Sequence, residues 1–295
     1  MTDTHRPENS GAIAEKPHSQ ATGYRRPTIG VFDSGVGGLT VLSALLRNIP
    51  DANYLYFGDT ARLPYGSKSA ATVAYYAVGA TQHLQAQGAE LLVIACNTAT
   101  ALALDEIRAA SQVSVIGVVD PGADAASKAT KNRNVVVIGT DATIASHAYR
   151  RALDARRIAV REKSCPLFVP LVEEGWIDHP VTEQVARIYL DEAFSGNAAN
   201  ADVLVLGCTH YPLLKPLLRR IAPAHVAIVD SAESTAQEVA RQLHIQPLPS
   251  STETERRSAP RLKFFATDSA EKFKKMGTRF LGLPVEDVLH IDLKE

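Results

Sequence analysis

Long apolar runs, paired cysteines and an excess of either charge are all missing from this 295-residue chain. Three cysteines, Cys96, Cys165 and Cys208, are too few for a disulfide scaffold. With no CxxC or HxxxH spacing, they do not make a usual metal site either. The longest apolar runs, "LLVIAC" and "VLVLGC", fall far short of the roughly 20 residues needed to span a bilayer. Lys and Arg number 31 against 32 Asp and Glu, so no basic field argues for nucleic acid or an acidic membrane surface. A signal peptide needs an apolar stretch of about 7–15 residues. Residues 1–27, "MTDTHRPENSGAIAEKPHSQATGYRRP", contain none and read as a disordered extension. What remains is a soluble protein of a reducing compartment. With 45% apolar residues the chain can bury a proper core, as two ordinary domains or one large α/β unit.

The body of the chain repeats a short apolar strand, a polar turn and an amphipathic helix. "LLVIAC", "VSVIGVVD", "VVVIGT" and "VLVLGC" are continuous apolar runs, as expected of strands covered on both faces in a parallel sheet. Leu39, Leu42, Leu45, Leu46 and Ile49 form a helical stripe stopped by Pro50. Thr235 with Glu238, and Asp268 with Glu271, have capping-box spacing. The second box opens a final helix expected to end at Gly277, beyond a loop-like stretch at 247–260.

A weak self-similarity runs through this pattern. Pairing Asp33 with Thr140, Pro64 with Glu173, Cys96 with Cys208 and Asp120 with Asp230 gives offsets of 107, 109, 112 and 110. Four anchors in one order predict two similar α/β lobes, with the ligand in the cleft at the carboxyl ends of their strands.

The turn "DSGVGG" after the first strand invites a phosphate reading. Against it, Thr40 stands where a dinucleotide fingerprint has its third glycine, no Gly-Lys-Ser/Thr follows, and Asp33 would face the phosphates. Asp33, Ser34 and close backbone N–H groups instead suit a small zwitterion.

Cys96 and Cys208 each follow an apolar strand and precede a polar step, "CNT" and "CTH". If the repeat holds, two thiols flank one ligand. That arrangement favours proton removal from one face of a carbon and proton return to the other. His210 beside Cys208 and Asp33 near Cys96 are the candidate helpers. The carbanion formed beside a carboxylate needs hydrogen-bond donors aimed at that carboxylate; Ser34, Asn97, Thr98 and Thr209 are of the right type.

Bland readings compete. Cys165 is expected to be a buried small hydrophobe, and Asp120 and Asp230 structural turn residues. His210 can be structural, Tyr65 can be packing, and Glu173 and Glu174 can be a solvated loop. A Cys208–His210 nucleophile would make a hydrolase or acyltransferase, leaving Cys96 without a task. A disulfide switch or a non-enzymatic amino-acid-binding module are further alternatives. Pyridoxal chemistry fits poorly, because no lysine sits at a strand end beside these motifs.

"VFDSGVGGLTVL", "YFGDTARLPYGSKS", "IACNTA", "PLVEEG" and "LGCTHYPLL" together resemble the glutamate racemase family, in order and spacing, from about Thr28 to Gln242. The resemblance implies a cofactor-independent and metal-free exchange of L- and D-glutamate. Cys208 would take the proton from L-glutamate and Cys96 from D-glutamate. Asp33 would assist Cys96, while His210, with Glu173 behind it, would assist Cys208. Asp33, Ser34, Tyr65, Gly66, Asn97, Thr98, Thr209 and His210 would line the substrate. The implied fold is α/β with two pseudo-symmetric lobes, each a mostly parallel sheet flanked by helices, and the active site between them. Residues 28–121 plus 232–295 would form lobe one and 122–231 lobe two. The implied role is D-glutamate supply for peptidoglycan in the bacterial cytoplasm. A small-molecule substrate, no nucleic acid or membrane partner, and a homodimer are the expected associations.

Overall fold

The strongest apolar runs become the central strands of two parallel sheets. A computed structural model describes residues 25–245 and 260–293. The sequence readings for 1–24 and 247–259 therefore lie outside the described residues. In chain order the elements are β1 (Thr28–Asp33), α1 (Leu39–Asn48), β2 (Asn53–Gly58), α2 (Ala70–Ala86), β3 (Leu91–Ile94), α3 (Asn97–Ala110), β4 (Ser114–Gly117) and α4 (Val119–Ala129). After these come β5 (Asn134–Gly139), α5 (Asp141–Ala145), α6 (Ala148–Asp154), β6 (Ala159–Ser164), α7 (Phe168–Glu173), α8 (Pro180–Ala193), β7 (Val203–Gly207), α9 (Lys215–Ile221) and β8 (Ala227–Asp230). Then follow α10 (Ser231–Gln242), β9 (Leu262–Ala266), α11 (Ala270–Leu281) and β10 (Val288–His290).

One sheet has the order β10-β9-β2-β1-β3-β4 and the other β6-β5-β7-β8. All their strand pairs are parallel. The order 2-1-3-4 thus recurs as 6-5-7-8, the two-lobed α/β architecture expected from the repeat. Strands β3 and β7 are buried along their whole length, while the outer strand β6, "AVREKS", is polar and partly exposed, as suits a sheet edge. Strands β9 and β10 extend the first sheet beyond β2, and α10 packs on α1 and α4.

The ladders shift two of the sequence anchors. Phe32 is level with Ile94, and Ile138 with Leu206. Matching these pairs places Ser34, rather than Asp33, opposite Thr140 in the repeat. Likewise Ile94 pairs with Gly117 and Leu206 with Asp230, so Asp120 is not the counterpart of Asp230.

Several element ends also differ from the sequence expectation. The run "VSVIGVVD" is not one strand: β4 stops at Gly117 and α4 begins at Val119, because an apolar run has no period that separates a strand from a buried helix start. Helix α10 begins before Thr235, where Asp230 accepts a hydrogen bond from the Ala232 N–H at 3.1 Å and supplies the cap. Thr235 is left in mid-helix, its Oγ1 buried with no protein partner. At α11 the cap is Ser269, accepting from the Lys272 N–H at 3.2 Å, and Asp268 instead accepts from the Ser269 N–H. The helix runs through buried Gly277 to Leu281 and ends at Gly282, whose φ of +77° is a left-handed conformation that favours glycine.

Candidate active site

The cleft between the sheets holds a cavity of about 400 Å³ at the carboxyl ends of their strands. Ser34, Tyr65, Gly66, Cys96, Asn97, Thr98, Glu173, Cys208, Thr209 and His210 all line it. Asp33, 1% exposed, lies just behind this lining, hydrogen-bonded to Gly35 and Thr209. Glu174, next to Glu173, points to solvent.

Cys96 follows β3 and caps α3: its Sγ accepts from the Ala99 N–H at 3.4 Å and lies 3.5 Å from Ser34 Oγ. Burial, and after it the neighbouring Asp33 carboxylate, push the Cys96 thiol up to about 12. Asp33 accepts from the Gly35 N–H at 2.9 Å and from Thr209 Oγ1 at 3.5 Å. Burial still raises its pKa against the opposing charge of His210.

Cys208 follows β7, with its Sγ 4.0 Å from His210 Nδ1. The far nitrogen, Nε2, meets Glu173 Oε1 at 3.0 Å. Burial works against the imidazolium, but hydrogen bonds to Cys208 and Glu173 outweigh it and push His210 up to about 10. The ring of Phe280 stands edge-on to the imidazole at 5.1 Å. The glycine turn reaches this side too. A Cβ on Gly37 would overlap Thr209 Oγ1 and lie 2.5 Å from His210 Nδ1, so the close approach of the two lobes requires a residue without a side chain there.

Hydroxyls and amides supply the remaining polarity. The Oγ1 atoms of Thr98, Thr140 and Thr143 form a triangle with sides of 2.9–3.2 Å. Asn97 accepts from the Tyr149 hydroxyl at 2.7 Å, while its Nδ2 is buried without a protein partner. A buried donor of this kind is costly unless something fills its valence, and Asn97 lines the cavity. No lysine or arginine lines the cavity among the described residues, so a carboxylate here must be held by N–H and O–H donors.

Tyr65 lines the cavity, yet its hydroxyl donates to Asp59 at 2.6 Å. Asp59, fully buried, also accepts from Arg62 at 2.9 Å and Thr267 at 2.8 Å. Sequence reasoning missed Asp59, Thr143 and Tyr149, and had Thr140 only as a repeat anchor. Only "YFGDT", with its acid at the end of an apolar run, carried a usable signal. Among the described residues, no cluster of three or more metal-ligating groups occurs, and no helix is long and apolar enough to cross a membrane.

Parallel sheets of repeated order, with a cysteine after β3 and its counterpart β7, define a class, that of the Asp/Glu/hydantoin racemases, whose family profile matches residues 32–239. A glutamate racemase of Koribacter versatilis is 58% identical over 91% of this chain and 98% of its own length. The solved glutamate racemase of Francisella tularensis, in complex with D-glutamate, superposes with a TM-score of 0.80 at 34% identity, over 91% of this chain and 98% of that one. A Bacillus anthracis glutamate racemase superposes with a TM-score of 0.82 at 36% identity, over 90% and 98%. The chain belongs to the glutamate racemase family, a family of isomerases.

Proposed function

We propose that the protein interconverts L- and D-glutamate without a cofactor, by proton transfer between two thiols across the α-carbon. The observation that carries this is the pair of cysteines on one cavity, each with its own proton-handling neighbour. The two sides of the site are unequal. Cys96 is held as a thiol by burial and by Asp33. On the other side His210, whose charged form is favoured by its partners, stands 4.0 Å from Cys208 Sγ and is placed to trade a proton with it. With L-glutamate, Cys208 removes the α-proton and the Cys96 thiol delivers one to the opposite face. For D-glutamate the roles reverse, with Asp33 drawing the proton from Cys96.

The unpaired Asn97 amide, Ser34, Thr98 and Thr209 are the donors that bind the α-carboxylate and stabilise the carbanion. Tyr65 and Gly66 contribute wall and backbone, since the Tyr65 hydroxyl is taken by Asp59. In this reading lobe one comprises 28–121 and 232–295, and lobe two 122–231. Supply of D-glutamate to peptidoglycan in the cytoplasm, and assembly as a homodimer, complete the proposal.

Reduced protein incubated with L-glutamate in D2O tests it. Loss of the circular dichroism signal to zero, with deuterium entering at the α-carbon, is expected. A folded, reduced protein that produces neither change overturns the assignment.

A further inference from the structure

The C-terminal helix α11 packs with the first sheet, where Phe273 lies against Tyr56 and Phe264 at ring distances of 5.9 and 6.3 Å. Its last turn reaches the other lobe. Arg279 Nη1 donates to the carbonyls of Val172 at 3.2 Å and Glu173 at 3.3 Å. These residues end α7, and the last carbonyls of a helix have no partner within it. The chain beyond α7 is shaped to the same contact: Gly175 has a φ of +86°, and a Cβ there would lie 2.8 Å from the Arg279 guanidinium. The next residue of α11, Phe280, is 4% exposed and presses edge-on against the His210 ring. One turn of α11 thus grips the Glu173–His210 pair at both members, the backbone of one and the ring of the other.

We propose that Arg279 is a positioning residue for the Glu173–His210 pair, so that a helix of lobe one completes the proton-handling arm of lobe two. The inference rests on the racemase reading for its catalytic consequence. Other charged or titratable groups facing this arm are Cys208 at the imidazole, Asp33 behind it, and Asp268 and Lys272 across a small cavity beside Glu173. With Arg279 removed, the end of α7 is released and Glu173 no longer stays in register with Nε2. The imidazolium then loses a partner and gives up its proton at lower pH.

The test uses the full-length protein, Arg279→Ala and Arg279→Lys. The His210 titration is followed by NMR on histidine-labelled protein and assigned with His210→Asn. In parallel, kcat and KM for L-glutamate are measured through the alkaline range. For Arg279→Ala, the His210 titration and the alkaline limb of kcat move together to lower pH. Its kcat falls about ten-fold at little change in KM, as a displaced catalytic group would cause. Arg279→Lys, which keeps a charged donor, lies between the two and serves alone if the alanine variant does not fold. An unmoved His210 titration, even with a lower melting temperature or lower kcat, overturns the proposal. A wild-type protein without turnover whose His210 still responds to Arg279→Ala overturns the racemase reading and leaves the positioning role intact.

Discussion

At the scale of single residues, Asp33 shows how the site and the fold pull in opposite directions. Burial raises its pKa above 3.8, so the folded chain holds this proton more tightly than the unfolded chain does. Its contribution to stability is therefore fullest below 3.8 and is lost as pH rises through the higher folded value. The charged form is the one that burial disfavours. Asp33→Asn keeps an oxygen for the Gly35 N–H and removes the buried charge. Its melting temperature is expected to rise while racemisation falls about 100-fold or more. A thermal melt beside a polarimetric assay checks both, and a variant that melts lower while keeping full turnover would refute the argument. His210 has the reverse sign of cause, with its partners favouring the charged form. What its pairing adds to stability is complete below 6.5 and fades as pH climbs to about 10.

At the scale of elements, helix α11 depends on a stop that its sequence states only once the structure is known. Gly282 at φ +77° closes the helix, its N–H on the Thr278 carbonyl. Gly282→Ala should destabilise the protein by about 1 kcal/mol, the cost of the left-handed region for a residue with a Cβ. Urea unfolding measures this, and an unchanged midpoint would mean that the end of α11 does not share in the cooperative fold. Strands were the most legible elements: "LLVIA", "VVVIG" and "VLVLG" each mark a buried parallel strand by lacking polar residues altogether. Helix starts were less so. Val119 continues an apolar run without a break, and the cap at Asp230 hides at the end of a strand. In the cleft, residues adjacent to the strand-end motifs were readable because the chain itself carries them there. Tyr149 and Arg279 were not, since each acts on a partner far away in the chain and such contacts leave no periodicity. For Asp33, sequence order says that it follows a strand, not which neighbour covers it.

At the scale of the whole molecule, the cavity is shared by both sheets, so a bound ligand should guard both sides together. Cys96 and Cys208 are 5% and 6% exposed, and Cys165 is fully covered. Saturating glutamate is expected to slow iodoacetamide labelling of Cys96 and Cys208 alike and leave Cys165 unreactive throughout. Peptide mass spectrometry reads each site, and protection of Cys208 alone would place the ligand on one lobe only. The unlike surroundings of the two thiols also have a limit set by thermodynamics. Mirror-image amino acids have equal free energy in water, so no arrangement of Asp33, His210 and Glu173 can tilt the final mixture away from parity. The asymmetry can decide which enantiomer occupies the enzyme longest and which direction saturates first. Net flow towards the D-form then has to come from outside the molecule, from whatever process removes that enantiomer as it is made.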